Sequence, residues 1–192
     1  MITGHFGLAA GSKAAEPAAP LWALMLATMW LDVVFAPLYA MNVETIEMLG
    51  TGGYGKSVIH ADYTHSLVGA LILSAIAAAL AAWRWGRRAG LVLGTVAFSH
   101  WILDLVVHRA DMPLLPGNAG DLPLLGFGLW KVPVASILVE AALLLGGTYL
   151  YWRAARQHTS GRRAGIRVTP NLASLVILAS GVVVLALDAF GA

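Results

Sequence analysis

The sequence predicts an all-α integral membrane protein: a polytopic bundle of about five transmembrane helices, preceded by a short helical or re-entrant segment. Three observations predict it. Of 192 residues, 59% are hydrophobic and 11% are charged, where a soluble domain carries about 25% charged residues. The mean hydropathy is +0.76. Apolar runs of about 20 residues recur, each long enough to cross ~30 Å of hydrocarbon. No hydrophilic stretch is long enough for a second domain, so residues 1–192 read as a single transmembrane domain. The chain has no cysteine, which excludes disulfides and thiolate metal sites. The net charge of +2 carries little information, and no nucleic-acid partner is expected.

The first twenty residues, MITGHFGLAAGSKAAEPAAP, lack the basic start and sustained apolar core of a signal peptide. They are expected to stay on the protein as a short helix or re-entrant piece. Hydropathy then gives spans over 21–41, 63–83, 90–109, 132–152 and 171–190, with boundaries good to ~2–4 residues. In lipid these must be helices, because open strands would leave backbone groups unpaired.

The loops differ in charge. Arg84, Arg87 and Arg88 lie between the second and third spans; Arg153, Arg156, Arg162, Arg163 and Arg167 lie between the fourth and fifth. The remaining loops carry Glu44, Glu47, Asp62, Asp111 and Asp121 against Lys56, Arg109 and Lys131. The positive-inside rule puts the arginine loops in the cytoplasm. The N-terminus is then expected inside and the C-terminus outside, in a membrane of the bacterial inner type. Residues 111–130, DMPLLPGNAGDLPLLGFGLW, are too apolar for a plain solvated loop. They are expected to lie in the outer membrane surface or to fold back over the bundle. The GTGGYG cluster at 50–55 follows no strand, so it does not read as a phosphate loop.

The scarce polar residues concentrate at one depth. Asp32, His65, His100, Asp104, His108 and Glu140 all fall in the outer half of their spans, to a depth of ~13 Å at 1.5 Å per residue. Each charge there costs at least ~2.5 kcal/mol on insertion scales, so these groups are expected to face one another. His100, Asp104 and His108 recur every four residues, which keeps them on one helix stripe. Asp62 and His65 open the second span, and His60 sits just ahead, where the chain can turn back. Imidazoles with carboxylates suit Zn²⁺ or another first-row divalent ion. Such an ion can lower the pKa of water to ~7, and a spare carboxylate can take the proton. Thr64, Ser66 and Ser99 could orient the ligands through their hydroxyls.

HADYTHSL, at 60–67, followed by SHWILD, at 99–104, resembles the His-x-x-x-Thr-His-Ser … Ser-His-x-x-x-Asp signature of the LexA-regulated membrane-bound metal-dependent hydrolases. Gly4-His5 and Asp32 resemble further positions of that family, and the resemblance runs over roughly residues 4–117. It implies hydrolysis at a metal site drawn from His60, His65, His100 and Asp104, with Asp32 and His5 nearby. Two departures stand out. Leu31 and Val33 flank a lone Asp32 where the family often has two acids, and Ala61 stands where an arginine often follows the first histidine.

The leading expectation is therefore a membrane-embedded metal-dependent hydrolase that opens to the outer face. Its ligands would be His65, His100 and Asp104, with His60 or Asp32 next. Asp62, His108 or Glu140 would serve as general acid or base. The metal would be zinc, or else manganese or iron, and the substrate a membrane lipid or lipid-linked molecule. Two other readings use the same residues: a proton- or ion-coupled transporter or accessory subunit with a His/Asp/Glu relay, and a structural protein whose polar cluster only packs helices. His5 joins the site only if the first twenty residues dip into the bundle.

Overall fold

The computed structural model describes residues 1–50, 53–159 and 169–190. It is mostly helical: α1 (Ile2–Ser12), α2 (Leu21–Thr28), α3 (Trp30–Ala40), α4 (Leu67–Trp85), α5 (Arg87–Val107), α6 (Pro133–Thr159) and α7 (Pro170–Phe190). A two-stranded hairpin, β1 (Thr45–Met48) with β2 (Ser57–His60), lies between α3 and α4. It is antiparallel, with Thr45 opposite His60 and Met48 opposite Ser57. A strand therefore does precede the 50–55 glycine cluster, against expectation, but the next element is a second strand and not the helix that a phosphate loop needs. By length and composition, α4, α5, α6 and α7 could each cross a membrane. The pair α2 and α3, bent by 52°, supplies a fifth crossing if it counts as one span.

The first span is thus continuous in hydropathy but broken in shape. No proline or glycine marks the break at Met29. Thr28 holds it from outside: its hydroxyl donates to the His5 carbonyl at 3.3 Å, and its own carbonyl accepts from His100 Nδ1 at 2.7 Å. A straight helix would commit that carbonyl to the N–H of Asp32.

The second span starts later than hydropathy suggests. The Ser66 hydroxyl caps α4 by accepting the Gly69 N–H at 3.0 Å, so residues 61–66 stay in the loop that leads to it. Gly86, at φ +92°, makes the tight turn into α5, and Arg87 and Arg88 are helical. Arg162, Arg163 and Arg167 lie outside the described residues, as does the side chain of His158. The 111–130 segment folds back. The Pro113 and Leu114 carbonyls accept N–H groups of Leu67 and Val68 at the start of α4, and the Leu105 and His108 carbonyls accept from Phe127 and Gly128.

The N-terminal segment departs most from expectation. Met1 and Ile2 line the same cavity as Leu187 and Asp188 near the end of α7. The first residue therefore lies at the end of the bundle remote from the α4–α5 turn, where the expectation put it at the arginine end. The reason is that α1 is inserted among the long helices and reaches the arginine end only after Ser12. There Arg88 donates to the Ala15 carbonyl at 2.9 Å and pairs with Glu16 at 3.3 Å. Glycines permit the insertion: a Cβ on Gly7 would meet the Leu143 carbonyl oxygen at 2.4 Å, and one on Gly147 would meet that of Gly7 at 1.7 Å. Backbone thus lies against backbone, as in close helix pairs within membranes.

Gly147→Leu should push α1 off α6 and cost at least ~1–3 kcal/mol from overpacking. Thermal unfolding in detergent is the check. Gly146→Leu is the control, because a Cβ there meets nothing within 4 Å and its melting temperature should stay near that of the parent.

Candidate functional site

Three elements bring acids and imidazoles together. Asp32 comes from the first turn of α3, His65 from the loop before α4, and His100 and Asp104 from successive turns of α5. His65 Nε2 lies 3.2 Å from His100 Nε2. Asp32 Oδ1 is 3.5 Å from each of them. Asp104 Oδ2 is 3.1 Å from His100 Nε2 and 3.7 Å from His65 Nε2. Three-residue groups able to hold a metal ion are Asp32, His65 and His100, and His5, His100 and Asp104.

The hydrogen bonds on the far sides of both imidazoles fix their tautomers. A carbonyl only accepts, so His100 Nδ1 carries the proton it gives to Thr28. Thr64 Oγ1 lies 2.9 Å from a Glu44 carboxyl oxygen and 2.9 Å from His65 Nδ1. The hydroxyl proton goes to Glu44, and His65 Nδ1–H donates to Thr64. Both Nε2 atoms then point at each other and at two carboxylate oxygens, where they can coordinate a cation. Bonds of 2.0–2.1 Å in a tetrahedral centre give ligand–ligand edges of about 3.3–3.4 Å. The five separations, from 3.1 to 3.7 Å, surround that length.

The supports are built in. Glu44, fully buried, also accepts the N–H groups of Tyr63 and Thr64 at 2.8 Å each. The Trp101 indole N–H donates to the His65 carbonyl at 2.8 Å. His5 stacks on His100 at 4.0 Å and lies 3.1 Å from the other oxygen of Asp104. Its Nδ1 is buried without a partner. Access is one-sided: the Asp32 side chain is 38% exposed, while those of His65, His100 and Asp104 are 7% exposed or less.

The other expected residues fall at different distances. His108, just past the end of α5, sits at the margin of the cluster. Its Nδ1 pairs with Asp111 Oδ1 at 3.0 Å and its Nε2 lies 3.9 Å from Asp104 Oδ2. His60 does not join. It ends β2, where pairing with Thr45 turns its side chain toward solvent, 49% exposed and 3.9 Å from Glu47. Asp62 is half-buried and engages through its backbone carbonyl, which accepts from Gly117 N–H at 2.9 Å. Glu140 is fully buried but serves α1 and the loop: it accepts from Gly4 N–H at 3.1 Å and from the Tyr54 hydroxyl at 2.6 Å. Burial, reinforced by that carboxylate, pushes the Tyr54 hydroxyl well above its ordinary 10.0.

Glu44, Thr28 and Asp111 carry functions that spacing did not reveal. Asp111 follows His108 by three residues, a readable signal; Glu44 and the Thr28 carbonyl offer none. No family model matches the chain, and no curated protein or solved structure matches it.

Glu44→Ala should leave Thr64 free to swing and loosen His65, lowering divalent-metal affinity about 10–100-fold as outer-shell losses do. Competition with a chromogenic chelator measures this. Tyr54 should stay protonated through about pH 10–11, where ordinary tyrosines ionise. Ultraviolet titrations of the parent and Tyr54→Phe should therefore coincide over that range. The stability that Tyr54 contributes is present below pH 10.0 and drains as pH climbs toward its raised value.

Proposed function

We propose that the protein is a membrane-embedded metal-dependent hydrolase, with Asp32, His65, His100 and Asp104 as its metal ligands. The observation that carries this reading is the pair of facing imidazole Nε2 atoms ringed by two carboxylates at tetrahedral-edge separations. Zinc suits the donor set and edge length, and manganese or iron accept the same donors. When bound, the ion supplies Lewis-acid polarisation and activates water as the nucleophile.

The chain's own residues account for the remaining steps. Asp32 forms the open edge through which substrate reaches the centre. Asp111 holds the Nδ1 proton of His108, so that Nε2 is free to accept a proton from the attacking water. The same imidazole returns it to the leaving oxygen or nitrogen as the phosphoester, amide or ester bond breaks. His5 fixes the distal oxygen of Asp104. A lipid or lipid-linked substrate fits the depth. Asp104 lies three residues from the end of α5, about 4–5 Å below it, so a headgroup can reach the centre while its chains stay in hydrocarbon. Arg84, Arg87 and Arg88 at the α4–α5 turn put that end in the cytoplasm by the positive-inside rule, and the centre then opens to the outer face. Toward the arginine end the cluster gives way to buried Leu24, Leu93, Val96 and Ala97, which favours a one-sided pocket over a proton path.

Elemental analysis of detergent-purified protein should find about one divalent ion per chain, absent from His100→Ala. His108→Ala should keep the ion and lose about 10²–10⁴-fold in lipid hydrolysis. Metal-free parent protein, or hydrolysis that survives chelation, would overturn the reading.

A further inference from the structure

The bend in the first span leaves a second feature, away from the His/Asp cluster. A cavity of about 250 Å³ lies between α2 and α4, walled by Leu26, Ala27, Ala77 and Leu80 and floored by Leu93 of α5. Trp30 caps it on the side of Asp32, its indole N–H donating to the Leu73 carbonyl at 3.1 Å. At the arginine end its rim is aromatic and cationic. Trp22 meets Trp85 edge-on at 5.8 Å, and the Arg84 guanidinium lies 5.6 Å over the Trp85 ring. Trp22 and Trp83 are 62% and 86% exposed. The acid at that end, Glu16, is taken up by Arg88.

We propose that this groove binds an anionic phospholipid of the leaflet at the arginine end, with one acyl chain between α2 and α4 and the phosphate on Arg84. The inference is separate from the hydrolytic reading and rests only on the helices crossing a bilayer. Apolar walls running along the helices match an acyl chain, which lies parallel to them in a membrane. The tryptophans sit where indoles partition, at the headgroup level. The guanidinium fork matches phosphate oxygens in pairs. A guanidinium at the rim, with no acid among the groove's lining residues, favours a net negative headgroup over a zwitterionic one. Trp30, bonded across to α4, separates the chain in the groove from the cluster, so this lipid is a resident partner and not the substrate.

The test uses full-length protein reconstituted into vesicles and checked by co-flotation. Either phosphatidylglycerol or phosphatidylcholine, at equal mole fraction, carries brominated chains, which quench tryptophan on contact. Four of the seven tryptophans line the groove. Brominated phosphatidylglycerol should quench more strongly, as expected for about fivefold enrichment per arginine. Arg84→Gln should shrink the excess by about that factor. Ala77→Phe, which fills the groove and leaves Arg84 in place, should abolish it. Equal quenching by the two lipids, or an excess that neither variant changes, would reduce the contact to ordinary annular lipid and overturn the proposal. A chain that fails to co-float would overturn it together with the membrane-crossing reading, whatever its metal content.

Discussion

Thr28 is the residue on which the rest of the structure turns. Its hydroxyl ties α2 to α1 through the His5 carbonyl, and its carbonyl ties α2 to α5 through His100. Both bonds exist because the helix breaks one residue later. The break frees a carbonyl, the carbonyl takes the His100 Nδ1 proton, and that bond turns Nε2 toward the cluster. The same break redirects α3, so that Asp32 enters in a helix's first turn, where the partial positive charge of the terminus favours a carboxylate. One backbone defect thus delivers two members of the centre.

Polar groups at this depth also organise the packing. Helices this apolar gain little from hiding apolar faces from one another where lipid surrounds them, and there hydrogen bonds and close backbone contact hold a bundle together. The cluster links α1, α3, α4 and α5 at one level. A second link joins α1 to α6 and to the loop through Glu140, Gly4 and Tyr54. Gly7 and Gly147 let α1 lie near enough for both links to close. Outward faces are left apolar, with Leu71, Ile76, Leu175 and Val182 among the exposed residues.

Much of this was legible in the sequence. Hydropathy alone located α4, α5 and α7 within about four residues, whereas α6 runs on to Thr159, past the expected end at 152, because its last turns are too polar to register as part of an apolar span. The four-residue spacing of His100 and Asp104 and the shared depth of Asp32 and His65 carried the core of the site. His60 misled because its neighbourhood pairs as a hairpin, and strand pairing aims a side chain by register, which hydropathy does not encode. Glu140 has the expected depth but a different partner: depth fixes a level in the bundle, while the face a residue presents depends on which helix lies opposite. The insertion of α1 was open in the sequence, since eleven residues are too few to cross a membrane and their glycines become informative only against α6.

That inserted helix gathers contacts from the whole length of the chain. Thr3 bonds the Gly181 carbonyl of α7, Gly4 bonds Glu140 of α6, and His5 meets Thr28 of α2 and Asp104 of α5. Partners from four other helices thus converge on the first turns of an eleven-residue helix. It works as a keystone: Asp104 is braced by a side chain whose own place is set by elements far apart in sequence.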